Sequence, residues 1–236
     1  MKDKKPNAYA EIVKGSIWKT PSVTEQPVIN LVSWSVWQTT DGARHLVGHN
    51  QEDREGRAST AVQSFDPFTG QATTLSGRTY QLIGRAGYDS DGHWVWGLWA
   101  KANQWTSTDI TEIFEKEILA AINRRQFLRD ILCTAIEGGV SCIGYWAAVS
   151  NTIRDGEEYI GCQVRDNEDP GDRSRIVDIP QIEEAIAAVT ARTITIGDTY
   201  REKIMAASAT NDAGAIDGDL ADILVQIAAY AEIRFS

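Results

Sequence analysis

One stretch of the chain, residues 123–146, has the strongest apolar periodicity and constrains the fold more than any other. Asn123 with Gln126 three residues later predicts a capping box at the start of a helix, and the Gly-Gly pair at 138–139 predicts its end. The β-branched and aromatic residues at 143–149 predict a buried strand after the glycines. We therefore expect a helix, a corner and a strand on which the second half of the chain packs. The apolar residues at helical spacing are Phe127, Leu128, Ile131, Leu132, Ala135 and Ile136.

Charge and tryptophan are distributed unevenly along the 236 residues. Residues 1–110 carry 11 acidic and 11 basic side chains, whereas residues 111–236 carry 22 acidic and 12 basic ones. The second part therefore holds the whole formal net charge of −10. Seven of the eight tryptophans precede residue 106. Two domains explain both distributions: a Trp-rich β module at 1–106 and an acidic α+β module at 107–236.

Short strands separated by turns are predicted for the first module. Alternating apolar residues at 28–38 predict a strand with one buried face, and Asp41-Gly42 predicts a hairpin turn into a return strand at 44–48. This pattern is typical of an antiparallel meander of about five strands. Residues 93–103 fit either a short amphipathic helix or a last strand, and the helix is favoured. The three remaining predicted strands are 58–65, 72–75 and 78–83.

The second module is predicted to mix helices with a β-hairpin. Asp109 and Glu112 indicate the start of a helix that ends at residue 122, before the helix at 123 begins. Arg154-Asp155-Gly156 predicts the hairpin turn, and Pro180 predicts a helix start. The expected fold class is α+β, with an N-terminal antiparallel β-rich module followed by a mixed helix and hairpin module. The other expected elements are a strand at 158–164, an acidic loop at 165–175, a strand at 176–179, and helices at 180–191, 198–208 and within 211–235.

Composition narrows the expected location and redox state of the chain. No run of 18 apolar residues is present, so we expect no membrane span. The three cysteines, Cys133, Cys142 and Cys162, have no CxxC spacing. We therefore expect reduced thiols and a cytoplasmic protein.

Motifs for catalysis, nucleotide binding and metal binding are weak. His45 and His49 on one strand would lie about 13 Å apart, too far for one ion. No GxSxG sequence or P-loop lysine occurs, and residues 217–222 resemble a calcium loop in composition only. We therefore predict no catalytic residue, no cofactor and no bound metal.

Two sets of motifs carry a resemblance to known families. The motifs of the second half are AIEGG at 135–139, YW at 145–146, NDAGAID at 211–217, AD at 221–222 and YAEI at 230–233. Those of the first half are WSVW at 34–37, DGARHLVG at 41–48, EGRAST at 55–60 and SGR at 76–78. On these motifs the second half of the chain resembles uncharacterised phage-borne proteins of phage and actinobacterial genomes, and the first half is similar to uncharacterised plasmid- and phage-borne proteins. The resemblance implies a mobile-element accessory protein inside a bacterial cell, and it implies no particular activity.

Two classes of function remain open from the sequence. In the first, the acidic module binds and occludes a basic, nucleic-acid-binding host protein, with no direct binding of nucleic acid and with anti-defence as one outcome. An acidic face needed only for solubility explains the same charge equally well. The residues expected to bind the partner are Asp155, Glu157, Glu168, Asp169, Asp172, Asp217 and Asp219.

In the second class, the Trp-rich and Arg-rich module binds a nucleotide or small anion, as a sponge or an enzyme. Tryptophan and arginine together stack on bases and form binding hot spots. The same tryptophans could instead form the core of a small β domain. The residues expected to bind the anion are Arg44, Arg57, Arg78, Trp37 and Trp94.

Overall fold

A computed structural model describes residues 21–138, 142–169, 171 and 173–235 of the chain. The chain divides into two units, Met1–Ala121 and Ile122–Ser236. The first contains a β-sheet, and the second contains helices and a small sheet, so the α+β class is confirmed. The division falls inside a helix, later in the sequence than the predicted boundary between residues 106 and 107.

The sheet of the first unit has seven strands among the described residues. Its strand order is β3-β2-β1-β6-β5-β4, and β7 pairs with the last residues of β1. Neighbours are antiparallel except β1 and β6, which pair in parallel from Val28 opposite Thr79 to Leu31 opposite Leu82. The sheet is therefore mixed, whereas the sequence predicted an antiparallel meander. The strands are β1 Val28–Thr39, β2 Arg44–Asn50, β3 Glu55–Ala58, β4 Val62–Asp66, β5 Gln71–Thr74, β6 Thr79–Leu82 and β7 Ser107–Asp109.

The predicted hairpin between β1 and β2 is present, but the predicted strand at 58–65 is divided. The hairpin turn closes with a hydrogen bond from the Thr39 N–H to the Ala43 carbonyl oxygen, at 2.9 Å. Ser59 is buried, and its hydroxyl takes the place of a backbone acceptor for the Leu46 N–H, at 2.8 Å. Pairing with β2 ends at Ala58, and a new strand begins at Val62.

Helix α1, Ser90–Asn103, lies between β6 and β7 in the chain, and its helical conformation agrees with the favoured interpretation of residues 93–103. Its first turn lies against the backbone of β2 and β3. A Cβ atom on Gly92 would lie 2.6 Å from the Gly48 carbonyl oxygen, and one on Gly56 would lie 2.0 Å from the Asp91 carbonyl carbon. Only glycine permits so close an approach of two backbones.

Most tryptophans of the first unit pack inside it or against its surface. Trp34 and Trp96 are buried, and the rings of His45, Trp96 and Trp105 pack in one cluster, with centroid distances of 5.0, 5.1 and 6.0 Å. These aromatic contacts support the interpretation of tryptophan as core material of a β domain. The core of the sheet consists of Ile29, Leu31, Trp34, Val36, Leu46, Ala72, Tyr80, Ile110 and Phe114.

A single helix, α2, runs from Thr111 to Glu137, where the sequence predicted two. Asn123 is therefore inside the helix and caps nothing. The strand predicted at 143–149 also starts later than expected and extends further, to Asp155. A 3-10 turn spans Ile143–Tyr145, and β8 begins at Ala147. The turn directs the Trp146 indole toward Asp222, to which its Nε1–H donates at 2.6 Å.

The second unit combines a three-stranded antiparallel sheet with three further helices. Strand β9 is central, between β8 and β10. Asp178 caps α3 in a capping box with Gln181, and Pro180 lies in the first turn, as the sequence indicates. The elements are β8 Ala147–Asp155, β9 Glu158–Asp166, β10 Arg175–Asp178, α3 Ile179–Thr190, α4 Asp198–Thr210, a 3-10 turn Ala213–Ala215 and α5 Gly218–Tyr230.

The core of the second unit joins α2, the small sheet and the last helices. Phe127, Ile131 and Leu132 of α2 are almost fully buried, which confirms the apolar face predicted for this segment. They share one cluster with Trp146, and with Leu224 of α5. In the described part of the chain, no helix is both long and apolar enough to cross a membrane.

Candidate functional site

A cavity of about 590 Å³ opens in the second unit. This volume lies within the range of small-molecule pockets. One part of its lining is acidic and hydroxylic, and the rest is mainly aliphatic and aromatic. The lining residues are Tyr145, Thr195, Ile196, Gly197, Tyr200, Asp219, Asp222, Ile223, Ile233 and Phe235.

Asp222 is the buried polar centre of the cavity. It lies on α5 and is only 6% exposed. Its Oδ1 accepts a hydrogen bond from the Trp146 indole at 2.6 Å. Its Oδ2 accepts from the Tyr145 hydroxyl at 3.2 Å and from the Gln226 amide at 2.8 Å. The hydrogen bonds that the described residues donate to this carboxylate thus all come from neutral groups.

The charge of Asp222 acts on two neighbouring groups, the Tyr145 hydroxyl and the Cys142 thiol, and both keep their protons near neutral pH. Burial, and then the negative charge of Asp222, raises the pKa of Tyr145 to about 12. The same two causes raise the pKa of the Cys142 thiol to about 11, and this thiol donates to the Gly218 carbonyl oxygen at 3.1 Å. Both groups are neutral near pH 7, so neither is an activated nucleophile or base.

Gln226 ties Asp222 to the segment that forms one wall of the cavity. Its Nε2 donates both to Asp222 and, at 3.0 Å, to the Phe235 carbonyl oxygen. Its Oε1 accepts from the backbone N–H groups of Arg234 and Phe235 at 2.9 and 2.8 Å. One buried amide therefore fixes the segment whose Ile233 and Phe235 line the cavity.

Arg201 fixes the loop between α3 and α4, which carries another part of the lining. Its guanidinium is buried and donates to the carbonyl oxygens of Val189, Ile194 and Ile196, at 2.5, 3.2 and 3.4 Å. A charged donor shared by several carbonyl oxygens holds a loop more firmly than neutral bonds do. Ile196 is consequently held at the cavity.

The described acidic residues predicted to bind a partner fall into three places, of which two are the opposite ends of β9 and the third is the start of α5. Asp155 and Glu157 lie at the β8–β9 turn, whereas Glu168 and Asp169 lie beyond the other end of β9. The nine residues of β9 separate these places by about 26 Å along the strand.

Asp217 and Asp219 lie at the start of α5, where Asp217 caps the helix and Asp219 lines the cavity. The loop that carries Glu168 begins beside Trp146, because the Asn167 N–H donates to the Trp146 carbonyl oxygen at 2.8 Å. Asp172 lies outside the described residues.

The residues predicted to bind an anion are spread through the first unit and are mostly engaged there. Arg57 and Arg78 are buried, Arg57 with Glu55 and Arg78 with the Pro21 carbonyl oxygen. The remaining three are more accessible: Arg44 forms two hydrogen bonds to Glu117, at 2.7 and 3.0 Å, Trp37 is half-buried, and Trp94 is 53% exposed.

His45 and His49 make polar contacts within the first unit. His45 Nδ1 lies 2.9 Å from the Ser59 carbonyl oxygen, and His49 Nδ1 lies 3.3 Å from an Asp89 carboxylate oxygen. Among the described residues, no group of three or more His, Cys, Asp or Glu side chains could hold a metal ion.

Sequence reasoning missed Asp222, Tyr145 and Gln226 as site residues. One signal for Asp222 is present: it lies between Ala221 and Ile223 in the apolar stripe of the terminal helix. A carboxylate in such a stripe is buried with it and needs hydrogen-bond partners. The sequence contains no local signal for those partners, because Trp146 precedes Asp222 by 76 residues. No family model, curated protein or solved structure matches this chain.

Proposed function

We propose that this chain is a non-enzymatic binding protein that occludes a basic surface of a nucleic-acid-binding host protein. The second unit would supply the interface, and the host protein would lose access to nucleic acid. The setting we propose is a bacterial cytoplasm that carries a mobile element, with anti-defence as the outcome. The motifs at 135–139 and 211–217 are the basis for this setting.

The observation that carries the proposal is the pair of carboxylates, Asp219 and Asp222, in the lining of the cavity. Both lie on α5, and Asp217 caps the same helix. The loop with Glu168 and Asp169 starts beside Trp146, which donates to Asp222. Carboxylates from separate segments attract a basic surface and raise its association rate.

The anion-binding alternative has weaker support. Two of its three arginines, Arg57 and Arg78, are buried and donate within the first unit. Arginines that bind a nucleotide from solvent need free donors at the surface. The charge of residues 1–110, with 11 acidic and 11 basic side chains, gives no net attraction for a phosphate.

The test is capture of host proteins on the immobilised chain at low salt, followed by a competition assay with each captured protein. We expect a basic protein whose affinity for its nucleic acid falls as the chain is added. Binding should weaken as salt rises, because screening shortens the reach of surface charges.

A triple charge reversal locates the interface. Glu168→Lys, Asp169→Lys and Asp219→Lys together should slow association at least about tenfold at low salt. The matched control reverses three exposed helical acids, Glu115→Lys, Glu184→Lys and Glu202→Lys, with the same change in net charge. Equal loss in both triple variants, or a captured protein that still binds nucleic acid fully, would refute the proposal.

A further inference from the structure

We infer that the cavity binds a single cationic side chain, a lysine or arginine of the basic partner. The charged group would lie beside Asp219 and Asp222, and the alkyl stem would lie on the apolar wall. This inference rests on the proposed function, because it takes the partner protein as the source of the cation.

The charge of the lining supports a cationic occupant. The described lining includes two carboxylates, Asp219 and Asp222, and no lysine, arginine or histidine. Asp222 is nine-tenths buried, and its described hydrogen bonds come from neutral donors. A buried carboxylate without a counter-ion is electrostatically unfavourable, so an entering cation gains more there than at an exposed acid.

The two carboxylates are placed to act on one charge. They lie three residues apart on α5, so their side chains project from the same face of the helix. A carboxylate has about four acceptor positions, and the described donors use three on Asp222. Asp222 therefore keeps a position for an ammonium or guanidinium donor, and the more exposed Asp219 offers further acceptors.

The rest of the lining suits the stem of a long basic side chain. Ile196, Ile223 and Phe235 supply apolar surface, on which the methylene groups of lysine and arginine pack favourably. Two tyrosine rings, Tyr145 and Tyr200, are 46% and 42% exposed although they line the cavity. Aromatic faces of this kind attract a cation in addition to the carboxylates.

Other occupants fit the lining less well. A phosphate or carboxylate ligand would meet two negative charges and no basic side chain among the described lining residues. A purely apolar ligand would cover Asp222 without neutralising it.

The direct test is an NMR titration of the full chain that follows the assigned indole Nε1–H resonance of Trp146. This proton is hydrogen-bonded to Asp222, so its chemical shift reports on the carboxylate. The probes are the N-acetyl methylamides of lysine and arginine, and the neutral control is the norleucine derivative, with ionic strength held constant. We expect saturable shifts with lysine or arginine and at least about tenfold weaker binding of norleucine.

Two substitutions and one control separate the cavity from the overall charge. Asp219→Asn should weaken probe binding about two- to fivefold, because an exposed charge attracts a cation only modestly. This exposed residue contributes little to the fold, so the variant should fold normally. Asp222→Asn should weaken it about tenfold or more. Asp155→Asn removes the same charge from the distant β8–β9 turn and should leave binding unchanged.

The inference is overturned if norleucine binds as well as lysine, or if Asp219→Asn and Asp155→Asn bind the probes alike. It is also overturned if neither cationic probe moves the Trp146 resonance while a basic partner is captured, and the proposed function would then stand without it. Probe binding that depends on Asp219 supports the cationic cavity even where no basic partner is captured, and in that case the proposed function alone fails.

Discussion

Replacing glycine by alanine should lower the stability of the fold at Gly92 of α1 and raise it at Gly97 of the same helix, because only Gly92 lies in close contact with another backbone. Gly92→Ala places a Cβ atom 2.6 Å from the Gly48 carbonyl oxygen, and backbone on both sides leaves no flexible side chain to move away. Crowding of this kind costs about 1–3 kcal/mol. Gly97→Ala has no atom within 4 Å of the added Cβ, and it gains about 1 kcal/mol of helix propensity.

We therefore expect the free energies of unfolding of the two variants to differ by about 2–4 kcal/mol, with the wild-type value between them. Urea unfolding followed by tryptophan fluorescence measures this difference, and it reports mainly on the first unit because seven of the eight tryptophans precede residue 106. Gly56→Ala gives a second measurement of the same contact, since its Cβ would lie 2.0 Å from the Asp91 carbonyl carbon. Equal unfolding midpoints for Gly92→Ala and Gly97→Ala would refute the argument that glycine is required here.

Three further predictions concern the second unit. Arg201→Met removes a buried charged donor from three loop carbonyl oxygens, so we expect a loss of about 3 kcal/mol in urea unfolding, and a loss below about 1 kcal/mol would contradict the role of this side chain. The pKa of Tyr145 is about 12 in the fold against an ordinary value of 10.0, so the neutral phenol is favoured by folding. Its contribution to stability is complete below about pH 10 and declines as the pH rises towards 12. A melting series over this range should show a smaller alkaline decline in Tyr145→Phe than in wild type, and identical slopes would contradict the assignment. Burial raises the pKa of Cys162 to about 11, so its alkylation at pH 7.5 should require unfolding, whereas rapid alkylation of the folded chain would exclude a buried thiol.

Local patterns in the sequence predict local structure well in several places. The apolar spacing at 127–136 identifies the buried face of α2, and Pro180 marks the start of α3. Alternation at 28–38 with a turn at 39–42 identifies the β1–β2 hairpin. In each case the determining contacts join residues close in sequence, or depend only on which side chains are apolar.

The failures arise where distant residues decide the outcome. Asn123 matches a helix start, yet an interior asparagine costs only about 0.7 kcal/mol relative to alanine, less than a break in the helix would lose in backbone hydrogen bonds. The parallel pairing of β1 with β6 joins strands far apart in sequence, and no local pattern encodes it. Strand β3 is not among the strands predicted from the sequence because its residues are polar, although Arg57 within it is buried beside Glu55.

The candidate site was predictable only in part. The sequence predicts Asp219 as a partner-binding residue because it is acidic, and in the structure it lines the cavity. Asp155 and Glu157 are predicted from their charge in the same way, but the length of β9 separates them from Glu168 and Asp169. Charge counting along a sequence identifies acidic residues, whereas their grouping depends on strand register.

The arrangement of Gln226 gives the opening of the cavity wall a measurable free energy. The amide protons of Arg234 and Phe235 are hydrogen-bonded to a single side-chain oxygen, and the same side chain is hydrogen-bonded to Asp222. Whenever Gln226 changes rotamer, both amide protons lose their acceptor together, so the two should show one common protection from deuterium exchange once their intrinsic rates are divided out. An occupant that holds Asp222 in place would increase that protection. Exchange at two backbone positions would thus measure the free energy of opening without any label inside the cavity.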